Sequence, residues 1–260
     1  MQSRMAATDP AERDPVAKAE LRPFEEADFH ALAPGLNRDR QYDDRRLATR
    51  RKLLSLGKVF AARAEAAGLQ LEVRSSLHTP SSFNHNQVKR LWCYASRGKA
   101  EKRRLKGVLG ADLAKDLDAA YRNAYLCCAI EHDALEVSLR IHADAWFDGQ
   151  NLASRVKREG TDGWKARLNE LDGFRLRLHD WKGEWRCGSL IPEQLEEFLK
   201  YYKPAEHLLT VERRWPAPPG ARAALFAPEV PGLLVEELLR LVPLYRFSAW
   251  SAESDHLFTR

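Results

Sequence analysis

The sequence predicts an α+β fold: a mixed, largely antiparallel sheet of two hairpins plus extra strands, with helices packed on one face. Residues 124–130 are continuously uncharged, and residues 135–141 alternate between apolar and polar side chains. These patterns are typical of a central strand and a half-buried partner. A second pair of short stretches, in which apolar side chains alternate with arginines, lies at 174–178 and 185–187. Because short turns join both pairs, antiparallel hairpins interleaved with helices are favoured over a doubly wound parallel sheet.

In the first half of the chain, the clearest element is a helix over residues 42–67. Leu47, Leu53 and Phe60 recur at helical spacing, and Gly68 follows where a helix commonly ends. Beyond it, the pattern predicts a strand at 69–75, a polar loop at 78–86, a strand at 88–95 and a helix at 111–121.

The second half continues with a helix over 150–171 that is interrupted at 160–163. Pro192 opens a further helix that runs to about residue 202. Asp148 precedes a helical stretch and is predicted to cap it. The remaining predicted elements are a strand at 207–213, a helix at 232–242 and a last strand at 244–250.

The chain of 260 residues is predicted to form one α+β domain over 23–260, preceded by a mobile tail at 1–22. Residues 214–231 hold five of the 13 prolines and read as an irregular excursion. No apolar run approaches the length of a membrane span, and the N-terminus lacks a signal-peptide core. A cytoplasmic location without membrane contact is therefore expected. The four cysteines (Cys93, Cys127, Cys128 and Cys187) are expected to be buried thiols.

Scattered residues along the chain resemble a known family. They are Phe24, Asp28 and Phe29 in an F-x-x-x-D-F pattern, then Gly35-Leu36, Lys52-Leu53, Leu56-Gly57, Phe60 and Leu244-Tyr245. With the apolar hairpin at 124–141, this pattern resembles the YktB-like family of uncharacterised bacterial proteins. The resemblance implies a mixed α+β fold and brings no catalytic residues.

Positive charge is concentrated in residues 89–106, which have a net charge of +7 against +5 for the whole chain. Trp92 and Tyr94 lie in the same segment. Basic side chains bind phosphates, and interleaved aromatic rings stack on unpaired bases. We therefore expect this segment to bind a polyanion, with nucleic acid as the favoured class. The alternative is a solvated helix face. The basic residues are Lys89, Arg90, Arg97, Lys99, Lys102, Arg103, Arg104 and Lys106; of these, Arg97, Lys102, Arg103 and Arg104 are the expected phosphate contacts.

Polar residues at alternate positions of two predicted strands suggest a second site. Glu136, Ser138, Arg140 and His142 share one side of the first strand, and Arg175, Arg177 and His179 share one side of the second. If the strands are neighbours, Arg140, Arg175 and Arg177 would bind a phosphorylated substrate. His142, His179 or Glu136 would then transfer protons. The alternative is an exposed sheet face with Glu–Arg pairs across strands. Whether the protein is an enzyme stays open.

Neither a metal site nor a cofactor is expected. Asp133, Glu136, His142 and Asp144 are suitable metal ligands, but their spacing matches neither D…ExK nor HExxH. The fingerprints GxGxxG, Walker A and GxSxG do not occur either. A third hypothesis is a non-catalytic scaffold that binds a protein through residues 214–231. The oligomeric state stays open.

Overall fold

Seven strands form one antiparallel sheet in this computed structural model, which describes residues 20–179, 181 and 183–257. The strand order is β1-β2-β3-β4-β7-β5-β6. The strands are β1 (Leu71–Ser75), β2 (Arg90–Arg97), β3 (Tyr125–Glu131), β4 (Ala134–Ile141), β5 (Arg175–Leu178), β6 (Glu184–Arg186) and β7 (Leu209–Pro216).

The helices precede, interrupt and follow the strands. They are α1 (Glu26–His30), α2 (Asp43–Ala66), α3 (Lys99–Leu113), α4 (Trp146–Glu159), α5 (Asp162–Asn169), α6 (Pro192–Tyr201), α7 (Val230–Arg240) and α8 (Val242–Ser248). No helix within the described residues is both long and apolar enough to cross a membrane.

One face of the sheet is apolar and is covered by α2 and α7. Its side chains, among them Cys93, Cys128 and Val137, join the main buried core. Helix α2 approaches the sheet closely at Gly57, where an added Cβ would lie 2.8 Å from Val73 Cγ1 and 3.2 Å from Cys93 Sγ. The α+β class with helices on one face is therefore confirmed.

The central hairpin forms as predicted. Strands β3 and β4 pair through a short turn, with Cys128 opposite Val137 and Tyr125 opposite Arg140. The four cysteines are buried thiols, which confirms that they form no disulfide. Burial raises the pKa of the Cys127 thiol to about 11.

Sequence analysis left open whether β4 and β5 are neighbours, and the strand order shows that β7 lies between them. Strand β7 pairs with β4 on one side and with β5 on the other. Arg140 and Arg177 therefore lie in one row with Thr210 between them. Strands β4 and β5 are therefore not direct neighbours, but Arg140 and Arg177 lie on the same face of the sheet.

Two element predictions and one capping prediction are wrong. The helix predicted at 111–121 lies earlier, as α3, and Gly110 interrupts it with a left-handed φ of 81°. The last segment, predicted as a strand at 244–250, is helix α8 up to Ser248. Asp148 does not cap a helix: it lies inside α4, fully buried.

The predicted tail and excursion are only partly described. Residues 1–19 of the tail lie outside the described residues, as do 180 and 182 in the second hairpin. The proline-rich stretch at 214–231 begins within β7 and ends within α7. It therefore connects two elements of the same sheet-and-helix unit.

Candidate nucleic-acid interface

The side chains that alternate with the core residues form a second face, here called the polar sheet face. By register it carries seven arginines and five glutamates, an excess of two positive charges. The arginines are Arg74, Arg90, Arg140, Arg175, Arg177, Arg186 and Arg214, and the glutamates are Glu72, Glu131, Glu136, Glu184 and Glu212. Helices α2 and α7 pack on the opposite face.

Glu136 is the centre of an ion-pair network on this face. Its carboxylate lies 2.8 Å from both Arg90 and Arg140 and 2.9 Å from Arg214. The Ser138 hydroxyl also donates to it, at 2.8 Å. Burial alone would raise the pKa of Glu136, but attraction to Arg90 and Arg140 lowers it far below its ordinary range. Glu136 is thus a fixed anion that holds the arginines in place. A proton-transfer role would instead require a carboxyl group whose pKa lies near neutral pH.

A depression of 190 Å³ lies further along the same face. Arg140 and Arg177 line it from either side of β7, together with Thr210 and the exposed His179. Glu212 lies between the two arginines, 2.8 Å from Arg177 and 3.6 Å from Arg140. The structure therefore brings together two of the three predicted phosphate ligands and one predicted histidine.

Two other residues of the predicted phosphate site, Arg175 and His142, contact different partners. Arg175 pairs with Glu184 on β6, at 2.6 Å. His142 Nδ1 lies 3.1 Å from Asp144 Oδ2, and its ring packs 6.0 Å from the Tyr121 ring. Within the described residues, His142 and Arg175 are not part of the lining of the 190 Å³ depression.

Aromatic side chains lie beside these charges. Trp92, Tyr94 and Tyr125 are half-buried on the polar sheet face. The Arg90 guanidinium lies 5.4 Å from the centre of the Trp92 ring, and the Tyr94 and Tyr125 rings meet edge to face at 5.9 Å. The segment that the sequence singled out for its charge therefore contributes Trp92 and Arg90 to the same face as Arg140.

The rest of the basic segment does not form one surface. Arg97 and Lys102 are buried, with exposed fractions of 3% and 8%. Lys102 pairs with Glu72 at 2.8 Å and with Asp118 at 2.9 Å, and Arg104 pairs with Glu101 at 2.8 Å. Four members remain exposed with no ion pair among the described residues: Lys89 before β2, and Lys99, Arg103 and Lys106 on α3.

A larger cleft of 830 Å³ opens at the Arg90 end of the polar sheet face. Arg38, Lys89, Arg90 and His132 line it, with Glu131 as its acidic member. Arg90 Nε has no hydrogen-bond partner among the described residues. Sequence analysis missed Arg38 and His132, since neither lies in a segment with a concentration of positive charge.

The described residues contain no cluster of His, Cys, Asp and Glu that would hold a metal ion. Asp133 and Asp144 lie at opposite ends of the strand that carries Glu136. No protein-family model and no curated protein matches the chain. The resemblance to the YktB-like family stays a prediction.

Proposed function

We propose that the protein binds single-stranded nucleic acid across the polar sheet face. The observation that carries this proposal is the position of Trp92, Tyr94 and Tyr125 between two arginine-lined depressions. Aromatic rings on a basic surface are the general means by which proteins hold unpaired bases without reading their sequence.

The aromatic side chains provide the stacking contacts. Stacking of one base on a ring contributes about 1–3 kcal/mol. Trp92 is half-buried beside Arg90 on the polar sheet face rather than in the core, so part of its side chain reaches solvent. A guanidinium plane stacks on bases in the same way.

The two depressions provide the phosphate contacts. The 830 Å³ cleft contains Lys89 and Arg90, and the 190 Å³ depression contains Arg140 and Arg177. From the strand register, they are separated by six residues along a strand and three strand spacings, which is about 25 Å. That distance suits a short oligonucleotide crossing the sheet diagonally.

The glutamates on this face leave the arginines able to bind phosphate. A guanidinium has five N–H donors, and Arg177 uses one of them, Nη1, for Glu212. The Arg177 side chain is 46% exposed. Neutralising most arginines with carboxylates also avoids the repulsion of a purely basic sheet face, while the loops add Arg38 and Lys89.

The test is the salt dependence of binding to single-stranded RNA and DNA, measured by fluorescence anisotropy. We expect affinity to fall as salt rises, and the variant with Lys89→Gln and Arg177→Gln to bind more weakly. Losing two phosphate contacts should reduce the slope of log K against log salt by about 1.4. Trp92→Leu should weaken binding at every salt concentration, because it removes stacking.

The matched control is Arg103→Gln with Lys106→Gln, which removes two exposed cations from α3 instead. We expect this variant to bind as the unmodified protein does. If it loses binding while the sheet-face variant keeps it, α3 is the interface and the proposal is wrong. Absent or salt-independent binding would also contradict it.

A further inference from the structure

A cavity of 580 Å³ lies away from the polar sheet face, where the start of α3 meets the turn before β1 and the segment after α8. Arg97, Glu101, Tyr245 and Trp250 are among its lining residues. Its volume is within the range of small-molecule sites. The proposed nucleic-acid interface uses none of these residues.

Arg97 is held rigidly at this cavity. Its Nη2 donates to Asp148 Oδ1, and its guanidinium lies 5.2 Å from the centre of the Phe147 ring. Asp148 is fixed in turn by the backbone N–H groups of Ala124, at 2.6 Å, and Trp250, at 2.8 Å. Arg97 therefore presents its remaining N–H groups in one orientation.

Three lining residues carry buried polar atoms without a hydrogen-bond partner among the described residues. They are Nε and Nη1 of Arg97, Nε1 of Trp250 and Oε2 of Glu101. Arg97 and Trp250 are each 3% exposed. A buried polar atom without a partner costs about 1–3 kcal/mol. Three such residues on one cavity therefore point to a ligand with both acceptor and donor groups.

The start of α3 adds to the donor side. The helix begins at Lys99, and its N-cap, Gly98, has no side chain to bond the first N–H groups. Gly98 and Ala100 both line the cavity. The positive end of a helix stabilises a carboxylate placed next to it.

The charges around the cavity favour a ligand that carries both signs. Among the lining residues Arg97, Arg104 and Arg246 are positive and Glu101 and Glu253 are negative. Asp148, directly behind Arg97, brings the sum to zero. A phosphate dianion would bring two uncompensated charges, whereas a zwitterion brings none.

From these contacts we infer that the cavity binds a free α-amino acid. The carboxylate accepts from Arg97 and from the indole N–H of Trp250, and the ammonium group donates to Glu101. The ligand side chain packs against Leu69 and Ala249, which supply apolar surface in the same cavity.

The test uses the full chain, with isothermal titration calorimetry and thermal unfolding in the presence of each proteinogenic α-amino acid. We expect at least one to bind and, near saturation, to raise Tm by about 2–4 °C. The corresponding decarboxylated amine and N-acetylated acid should produce no shift. If the whole panel leaves Tm and the heat of titration unchanged, or if inorganic phosphate alone binds, the inference is wrong.

Two variants separate this site from an unspecific effect. Trp250→Phe keeps an aromatic ring and removes the indole N–H, so affinity should fall about 3- to 10-fold. Glu101→Gln removes the charged acceptor, and affinity should fall about 10-fold or more. The control is Glu193→Gln on α6, an exposed glutamate outside the cavity, which should leave amino-acid binding as before. Unchanged affinity in both cavity variants would overturn the assignment.

Discussion

Glu136 shows how one buried residue organises a surface. Its side chain is 2% exposed and contacts Arg90, Arg140 and Arg214, which come from three different strands. The arginines are held side by side because the carboxylate offsets their mutual repulsion. Removing that charge leaves the guanidinium groups uncompensated in a site with little water.

The first prediction therefore concerns Glu136→Gln. Breaking a buried ion pair by removing one partner costs about 3–5 kcal/mol, and we expect a loss of that size in the free energy of unfolding. Urea unfolding followed by circular dichroism measures it. The control is Glu184→Gln, whose partner Arg175 is 50% exposed. That change should cost about 1 kcal/mol or less. Equal losses in the two variants would contradict the central position of Glu136.

The same residue has a consequence for acid stability. Its pKa is lower in the folded state than its ordinary value of 4.5, because Arg90 and Arg140 outweigh burial. A depressed pKa stabilises the fold above the ordinary value, and this stabilisation is lost as pH falls below it. The unmodified protein should therefore lose stability below about pH 5, and Glu136→Gln should lose less over that range.

At the scale of elements, α3 has two different sides. Leu105 and Leu109 pack with Phe147, Trp250 and Leu257 in a second apolar cluster. Lys102 lies on a polar side and ties α3 to β1 through Glu72. The positive charge of this helix is therefore divided between a structural contact and exposed residues.

This division predicts different effects for two lysines on one helix. Lys102→Ala removes bonds to Glu72 and Asp118 and should cost about 1.5–3 kcal/mol of unfolding free energy. Lys106→Ala changes an exposed residue and should stay within about 0.5 kcal/mol. Chemical denaturation of both variants provides the comparison. A similar cost for the two would show that the ion pairs of Lys102 contribute nothing.

The two elements that sequence reasoning misplaced have physical explanations. Segment 244–250 is apolar except for Arg246 and Ser248, and a short, mostly apolar run fits a strand and a buried helix equally well. Pro243, in the first turn, favours the helix. In α3, the dense charge at 99–106 obscured the helical spacing of Leu105 and Leu109. By contrast, β3 and β4 were predictable because burial on one or both faces dictates their residue pattern.

The sequence predicted individual residues of the candidate site but not how they are arranged together. The alternation of Arg140 and of Arg175 with Arg177 correctly placed them on strand faces. What the sequence did not contain was the position of β7, which is distant in sequence from β4 and lies between β4 and β5. Because β7 lies between β4 and β5, Glu212 forms ion pairs with both Arg140 and Arg177. The polar residues of the two strands therefore belong to one ion-paired surface.

At the scale of the molecule, the sheet has one apolar face and one charged face. The apolar face is buried under α2 and α7, and its core is one continuous cluster that includes Phe24 near one end of the chain and Ala249 near the other. The polar sheet face carries the proposed interface. Buried contacts that reach across the whole described chain favour unfolding as one cooperative unit.

We therefore expect a single transition in urea, with tryptophan fluorescence and far-ultraviolet circular dichroism giving the same midpoint. Trp164 lies in the main core and Trp250 in the second apolar cluster, here called the α3 cluster, so fluorescence reports on both. The α3 cluster is small, but Arg97 and Asp148 connect it to β2 and α4 through a buried ion pair. A separate early transition in fluorescence would show that α3 and residues 250–257 unfold as an independent unit, and it would contradict the prediction of one domain over 23–260.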